Sequence, residues 1–172
     1  MANVWERTTE KALELVKASE AAFQGLTGVF KHLMQEHGEL AALVKRARRC
    51  SDADERARLY AELRRRLVAH ERAESAEVYR ALAEHESTIR LAMAHGDQVR
   101  ELESVLERLD RLKPADPEWE RAMELLAQTV EQHVFDEEGD YFPRGQAALG
   151  DESAQALTER YEAAKQRELG AT

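Results

Sequence analysis

Apolar residues recur at steps of three and four along most of the chain, the spacing that lines up one face of an amphipathic helix. Leu26, Val29, Phe30, Leu33, Leu40 and Val44 form one such stripe, and Leu59, Leu63, Leu67, Val78 and Leu82 a second. Ala92, Val99, Leu102, Leu106 and Leu109 make a third, and Trp119, Met123, Leu126 and Val130 a fourth. Turn signals separate them. Cys50-Ser51-Asp52-Ala53-Asp54 offers Ser51 or Asp52 as an N-cap, and Ala83 to Thr88 offers Ser87 or Thr88. In Lys113-Pro114-Ala115-Asp116-Pro117, Asp116 can cap and Pro117 suits the first helical position. The stretch Gly139 to Gly150 is expected to end the fourth helix.

Thr8 to Phe23 and Glu152 to Arg167 are also helical by pattern, the latter with Leu157, Tyr161 and Ala164 on one face. They are expected to flank or cover the other four. The predicted fold is all-α, a single domain over residues 1–172 with its core at about 26–143 and flanking helices at about 8–23 and 152–167.

Composition narrows the partners. Only 3 Pro and 8 Gly among 172 residues, with 34% charged, suit a helical globular protein. A net charge of -9 argues against duplex nucleic acid, whose binding draws on cationic side chains. The basic run Lys45, Arg46, Arg48, Arg49 reads as a solvated helix end, where cations meet the negative pole of the helix dipole. A lone cysteine, Cys50, excludes an intrachain disulfide. Glu6, Arg7 and Glu10 stand where a signal peptide needs an apolar core, and no apolar run is long enough to cross a membrane. A cytoplasmic protein with no membrane partner is expected.

Histidines and glutamates interrupt the stripes. His37 lies four residues past Leu33 and three before Leu40; His70 and Glu74 sit between Leu67 and Val78; His95 follows Ala92; His133 and Glu137 continue the stripe of Val130. His32 shares a face with Gln35, Glu36 and Glu39 and reads as a surface residue, while His85 falls in a turn. A His-x-x-x-Glu pair is weak evidence alone, and His32 with Glu36 is a third instance; the other two gain meaning from their inward faces. Register adds an independent constraint, because residues facing each other in antiparallel helices average to the centre of the connecting turn. His95 with the second-helix pair averages to about 83.5, His95 with the fourth-helix pair to about 115, and His37 with the second-helix pair to about 54.5, each in or within a residue or two of a predicted turn.

Four imidazoles and two carboxylates are thus expected at one level of a helical interior. Unpaired buried carboxylates cost several kcal/mol each, a burden that a metal-free interaction module would carry uncompensated. Bound cations relieve it. Imidazole and carboxylate without cysteine suit iron, manganese or zinc, and six ligands exceed one tetrahedral site. Two ions, each with two histidines and spanned by Glu74 and Glu137, would leave an open position for a small ligand and room for an oxo or hydroxo bridge.

The motifs LMQEHGEL, VAHERAESAEVY, AMAHGDQVREL and EQHVFDEEGDYFP, in this order from about Gly28 to Pro143, resemble the hemerythrin-like, or HHE cation-binding, proteins. The resemblance implies an up-down-up-down four-helix bundle holding two non-heme iron ions, with His37, His70, His95 and His133 as terminal ligands and Glu74 and Glu137 as bridges. Glu71 is either a further ligand or an acid at the rim. Tyr79 and Tyr141, each just past a ligand pair, are candidates to hydrogen-bond to the site, with plain packing as the alternative. The chain has Val99 where oxygen-carrying members have another histidine, and Glu138 where they have an aspartate ligand, with Glu137 one residue earlier as the expected ligand. These departures point away from reversible oxygen transport and toward a centre that takes oxygen, nitric oxide or peroxide, with peroxide decomposition as the expected activity. The alternative is an oxygen, nitric oxide or iron sensor without turnover.

Overall fold

The computed structural model describes residues 16–171 apart from 18 and 23, and every regular element among them is helical. Residues 8–15 of the predicted first segment lie outside the described residues; those described between 16 and 22 are helical. Helix α1 spans Gly28–Arg49 and α2 spans Ala53–Glu74, running on through a π-helical turn at Ser75–Tyr79 to a last turn at Arg80–Leu82. Helix α3 covers Ile89–Asp110, α4 covers Pro117–Asp136 with a second π turn at Glu137–Tyr141, and α5 covers Phe142–Ala171.

The turns form for the expected chemical reasons, with differences. Asp52 caps α2 by accepting a hydrogen bond from the Glu55 amide at 2.8 Å. Asp116 instead accepts from the Lys113 amide at 3.2 Å, closing the loop behind it, while Pro117 occupies the first turn of α4. Thr88 ties the second turn by donating to the Leu82 carbonyl at 2.7 Å. The fourth helix ends within the expected stretch Gly139 to Gly150, at its far end. The chain passes through the π turn and stays helical to a break at Gly150, whose φ of 75° needs glycine. Pro143, lacking an N–H, favours a local irregularity in the turn before it.

Helix α1 packs on α2, α4 and α5; α3 packs on α4, and α5 also covers α2. The start of α1 is pressed against α5 just past its break at Gly150. Gly28 has φ of +51°, and a Cβ there would lie 2.3 Å from the Ala154 backbone. The buried side chains form two apolar clusters. One gathers Leu40, Leu63, Leu67, Leu102, Leu106, Trp119, Met123, Leu126 and Val130; the other gathers Phe30, Leu33, Met34, Val78, Leu82, Phe142, Leu157 and Tyr161. Each fully buried large apolar side chain contributes roughly 1.5–3 kcal/mol, so the clusters can hold a costly polar layer in place. That layer falls between them, at His37 on α1 and at His70 and Glu74 on α2, each flanked in sequence by members of both clusters.

One expectation about faces is corrected. The side of α1 carrying Gln35, Glu36 and Glu39 is not solvated: Glu36 is buried, Gln35 and Glu39 are half-buried, and His32 is half-buried and pairs with Glu36 at 2.7 Å. Helix α5 accounts for this, since Tyr161 and Lys165 both reach Glu36 from it.

Candidate metal centre

Among the described residues ten buried polar or charged side chains interrupt the interior, and nine of them belong to or adjoin this layer: Glu36, His37, His70, Glu71, Glu74, His95, His133, Glu137 and Glu138. Two groups among the described residues draw their potential ligand atoms within 4.8 Å of one another. His37, His70 and Glu74 form the first; Glu71, His95 and His133 form the second. Glu137 stands between them. Its Oε2 lies 3.3 Å from His37 Nε2 and 3.4 Å from His133 Nε2, and its Oε1 lies 3.1 Å from His95 Nδ1.

Both His-x-x-x-Glu pairs lead into a π turn, a distortion frequent at functional sites. The fifth residue past each glutamate then stacks on a histidine of another helix. Tyr79 lies over His95 with centroids 3.6 Å apart and planes 8° from parallel, and Phe142 over His37 at 5.5 Å and 21°. Tyr79 Oη also donates to Glu137 Oε1 at 2.7 Å. Tyr141 is half-buried and lies further out, edge-on to Tyr79 at 6.5 Å.

The outward nitrogens of the imidazoles are held individually. His37 Nδ1 lies 3.0 Å from Glu138 Oε1, His70 Nδ1 3.0 Å from Glu36 Oε2, and His133 Nδ1 3.2 Å from the Gln98 amide oxygen. His95 is turned the other way, with Nδ1 toward Glu137 and Nε2 3.1 Å from Ser75 Oγ. What remains on the inside is unpartnered: His37 Nε2, His70 Nε2, His133 Nε2, one oxygen each of Glu71 and Glu137, and both oxygens of Glu74 have no hydrogen bond. Buried polar atoms are rarely left so, and a convergent set of imidazole nitrogens and carboxylate oxygens is the donor set of hard to borderline divalent or trivalent metals. The residues present therefore fit a metal.

Without one, protons do part of the work. Burial and the nearby Glu137, Glu71 and Glu36 carboxylates raise Glu74 well above the usual carboxyl range. Burial also opposes ionisation of Glu137, but the adjacent His133, His37 and His95 imidazoles outweigh it and hold that carboxyl well below normal. Burial likewise opposes charge on His37 and His133. The Glu137 and Glu138 carboxylates beside it push His37 up to about 9, and the Glu137 and Glu71 carboxylates push His133 up to about 10.

Of the residues singled out by sequence, His37, His70, Glu71, Glu74, His95, His133, Glu137 and Tyr79 come together here, and His85 lies exposed in its turn. Sequence reasoning missed Glu36, Lys17, Gln98, Ser75, Phe142, Tyr161 and Lys165. Tyr161 carried a usable signal: a phenol on an inward face needs a hydrogen-bond partner.

A family model described as the hemerythrin HHE cation binding domain matches residues 29–144. No curated protein and no solved structure matches the chain.

Proposed function

The chain belongs to the hemerythrin HHE cation-binding domain family, and from that premise we propose that it is a non-heme di-iron protein that decomposes peroxide. In this reading residues 1–172 form one domain in which α1 to α4 run up-down-up-down around the centre. His37, His70 and Glu74 would hold one ion, and His95, His133 and Glu71 the other. Glu137, which approaches histidines of both groups, would serve both, with Glu74 as its counterpart on α2. The observation that carries the proposal is the ring of buried, unpartnered nitrogens and oxygens on these residues.

Bound iron supplies Lewis acidity and one-electron redox chemistry toward a small oxygen or nitrogen ligand. The chain supplies the rest. Glu71, grouped with His95 and His133, provides an anionic donor on a helix level where Val99 provides none. Anionic donors favour the higher oxidation state, which suits turnover over reversible oxygen carriage. Tyr79 fixes Glu137 Oε1 with its phenol and packs its ring on His95, holding both against displacement. The two apolar clusters on either side of the layer exclude bulk water.

A second reading, a sensor of oxygen, nitric oxide or iron without turnover, draws on the contact of α5 with Glu36, which links the layer to a helix beyond the matched segment. Oxygen evolution from hydrogen peroxide by iron-loaded protein separates the two. Evolution lost in Glu137→Ala supports the enzyme; full loading without evolution supports the sensor.

A further inference from the structure

We infer that the helical segments on either side of the matched region are working parts of the centre: Tyr161 and Lys165 act through Glu36 to position His70, and Lys17 acts through Glu138 to position His37. This rests on the di-iron reading. All three residues lie outside residues 29–144.

Glu36 is surrounded by donors. Its Oε2 takes the Tyr161 phenol at 2.7 Å and lies 3.0 Å from His70 Nδ1; its Oε1 takes Lys165 Nζ and lies 2.7 Å from His32 Nε2. Tyr161 Oη is itself 2.9 Å from His70 Nδ1. At the other end Glu138 takes Lys17 Nζ on Oε2 at 2.5 Å and faces His37 Nδ1 with Oε1. Each carboxylate is clamped between a lysine at the protein edge and an imidazole whose inner nitrogen has no partner.

The second group is built differently. His133 is backed by the Gln98 amide and His95 by the Ser75 hydroxyl, both neutral. Carboxylate backing fixes the tautomer, leaves Nε2 free to ligate and makes the imidazole more basic; losing such a partner typically lowers metal affinity 10- to 100-fold. The two metal positions are therefore unequal, and the His37–His70 position depends on residues beyond the matched region. A lysine neutralises each backing carboxylate, so that it stays buried against its histidine instead of turning to water.

The test is a ferrous iron titration of metal-free wild type, Tyr161→Phe, Lys165→Met, the double variant and Lys165→Arg, with melting of the metal-free forms. The double variant is expected to bind one of two iron equivalents 10- to 100-fold more weakly and the other as wild type, with Lys165→Arg close to wild type. Two unchanged equivalents in the double variant overturn the inference. A second measurement needs no metal: the His70 Nδ1 proton should be a slowly exchanging, downfield resonance in wild type and should be lost to exchange in the double variant. A wild type that binds no iron overturns the di-iron reading while this resonance still reports on the clamp; a resonance unchanged in the double variant overturns the clamp.

Discussion

Glu74 is fully buried with neither carboxyl oxygen hydrogen-bonded, and it is pushed toward its protonated form by burial and by neighbouring carboxylates. In the metal-free protein it is a liability. Glu74→Met keeps the length of the side chain and removes the polar atoms. An unsatisfied buried polar group costs about 1–3 kcal/mol, so the metal-free variant should be more stable than metal-free wild type by about that amount. For a chain of this size each kcal/mol moves the melting temperature by about 2–4 °C, giving a rise of about 2–12 °C. The iron-loaded comparison should invert, because ligand binding stabilises only the form that holds it. Melting followed by circular dichroism, with chelator and after iron loading, reads both signs. A metal-free Glu74→Met that melts lower than wild type would show the opposite, a carboxyl held by partners worth more than its burial costs.

Other consequences follow from the same layer. His133→Ala and Glu137→Ala should lose most iron, measured as metal per chain after gel filtration, while His85→Ala should load like wild type. His37 and His133 are raised to about 9 and about 10 when metal-free, above an unfolded value of about 6.5. Their contribution to stability is therefore complete below about 6.5 and lost as pH rises through 9 to 10, and raised Glu74 acts in the same direction from its own lower starting value. Denaturant unfolding of chelated protein should thus show stability falling by an amount on the order of a few kcal/mol across that range, with the gap to iron-loaded protein widening. Stability that rises with pH would contradict this. Gly28→Ala should cost about 2–5 kcal/mol, from left-handed backbone and the clash with Ala154, seen as a lower denaturation midpoint with unchanged iron per folded chain.

The helical stripes were legible because burial and periodicity agree: Leu63, Leu67, Leu126 and Phe30 are all essentially inaccessible. The same stripes exposed the polar layer, since His70, Glu74, His133 and Glu137 fall at positions that apolar neighbours mark as inward. What periodicity cannot report is a second buried face whose partners are ionic. Glu36 looked solvated because its neighbours on α1 are polar, and it is buried by Tyr161 and Lys165, more than a hundred residues along the chain. Within the stretch expected to end the fourth helix, the break comes at Gly150 and not at Gly139 for a related reason. Gly139 lowers helix propensity by about 1 kcal/mol, which is outweighed where Glu137 and Phe142, on either side of it, are fully buried. Tertiary packing decided both cases.

The di-iron centre is tested by iron content per chain together with the near-ultraviolet and visible spectrum of protein produced in iron-supplemented medium. About two iron ions per chain are expected, with charge-transfer absorption that disappears with Glu137→Ala. Folded protein that binds neither iron nor any other metal in the presence of His37, His70, His95 and His133 would contradict the di-iron reading.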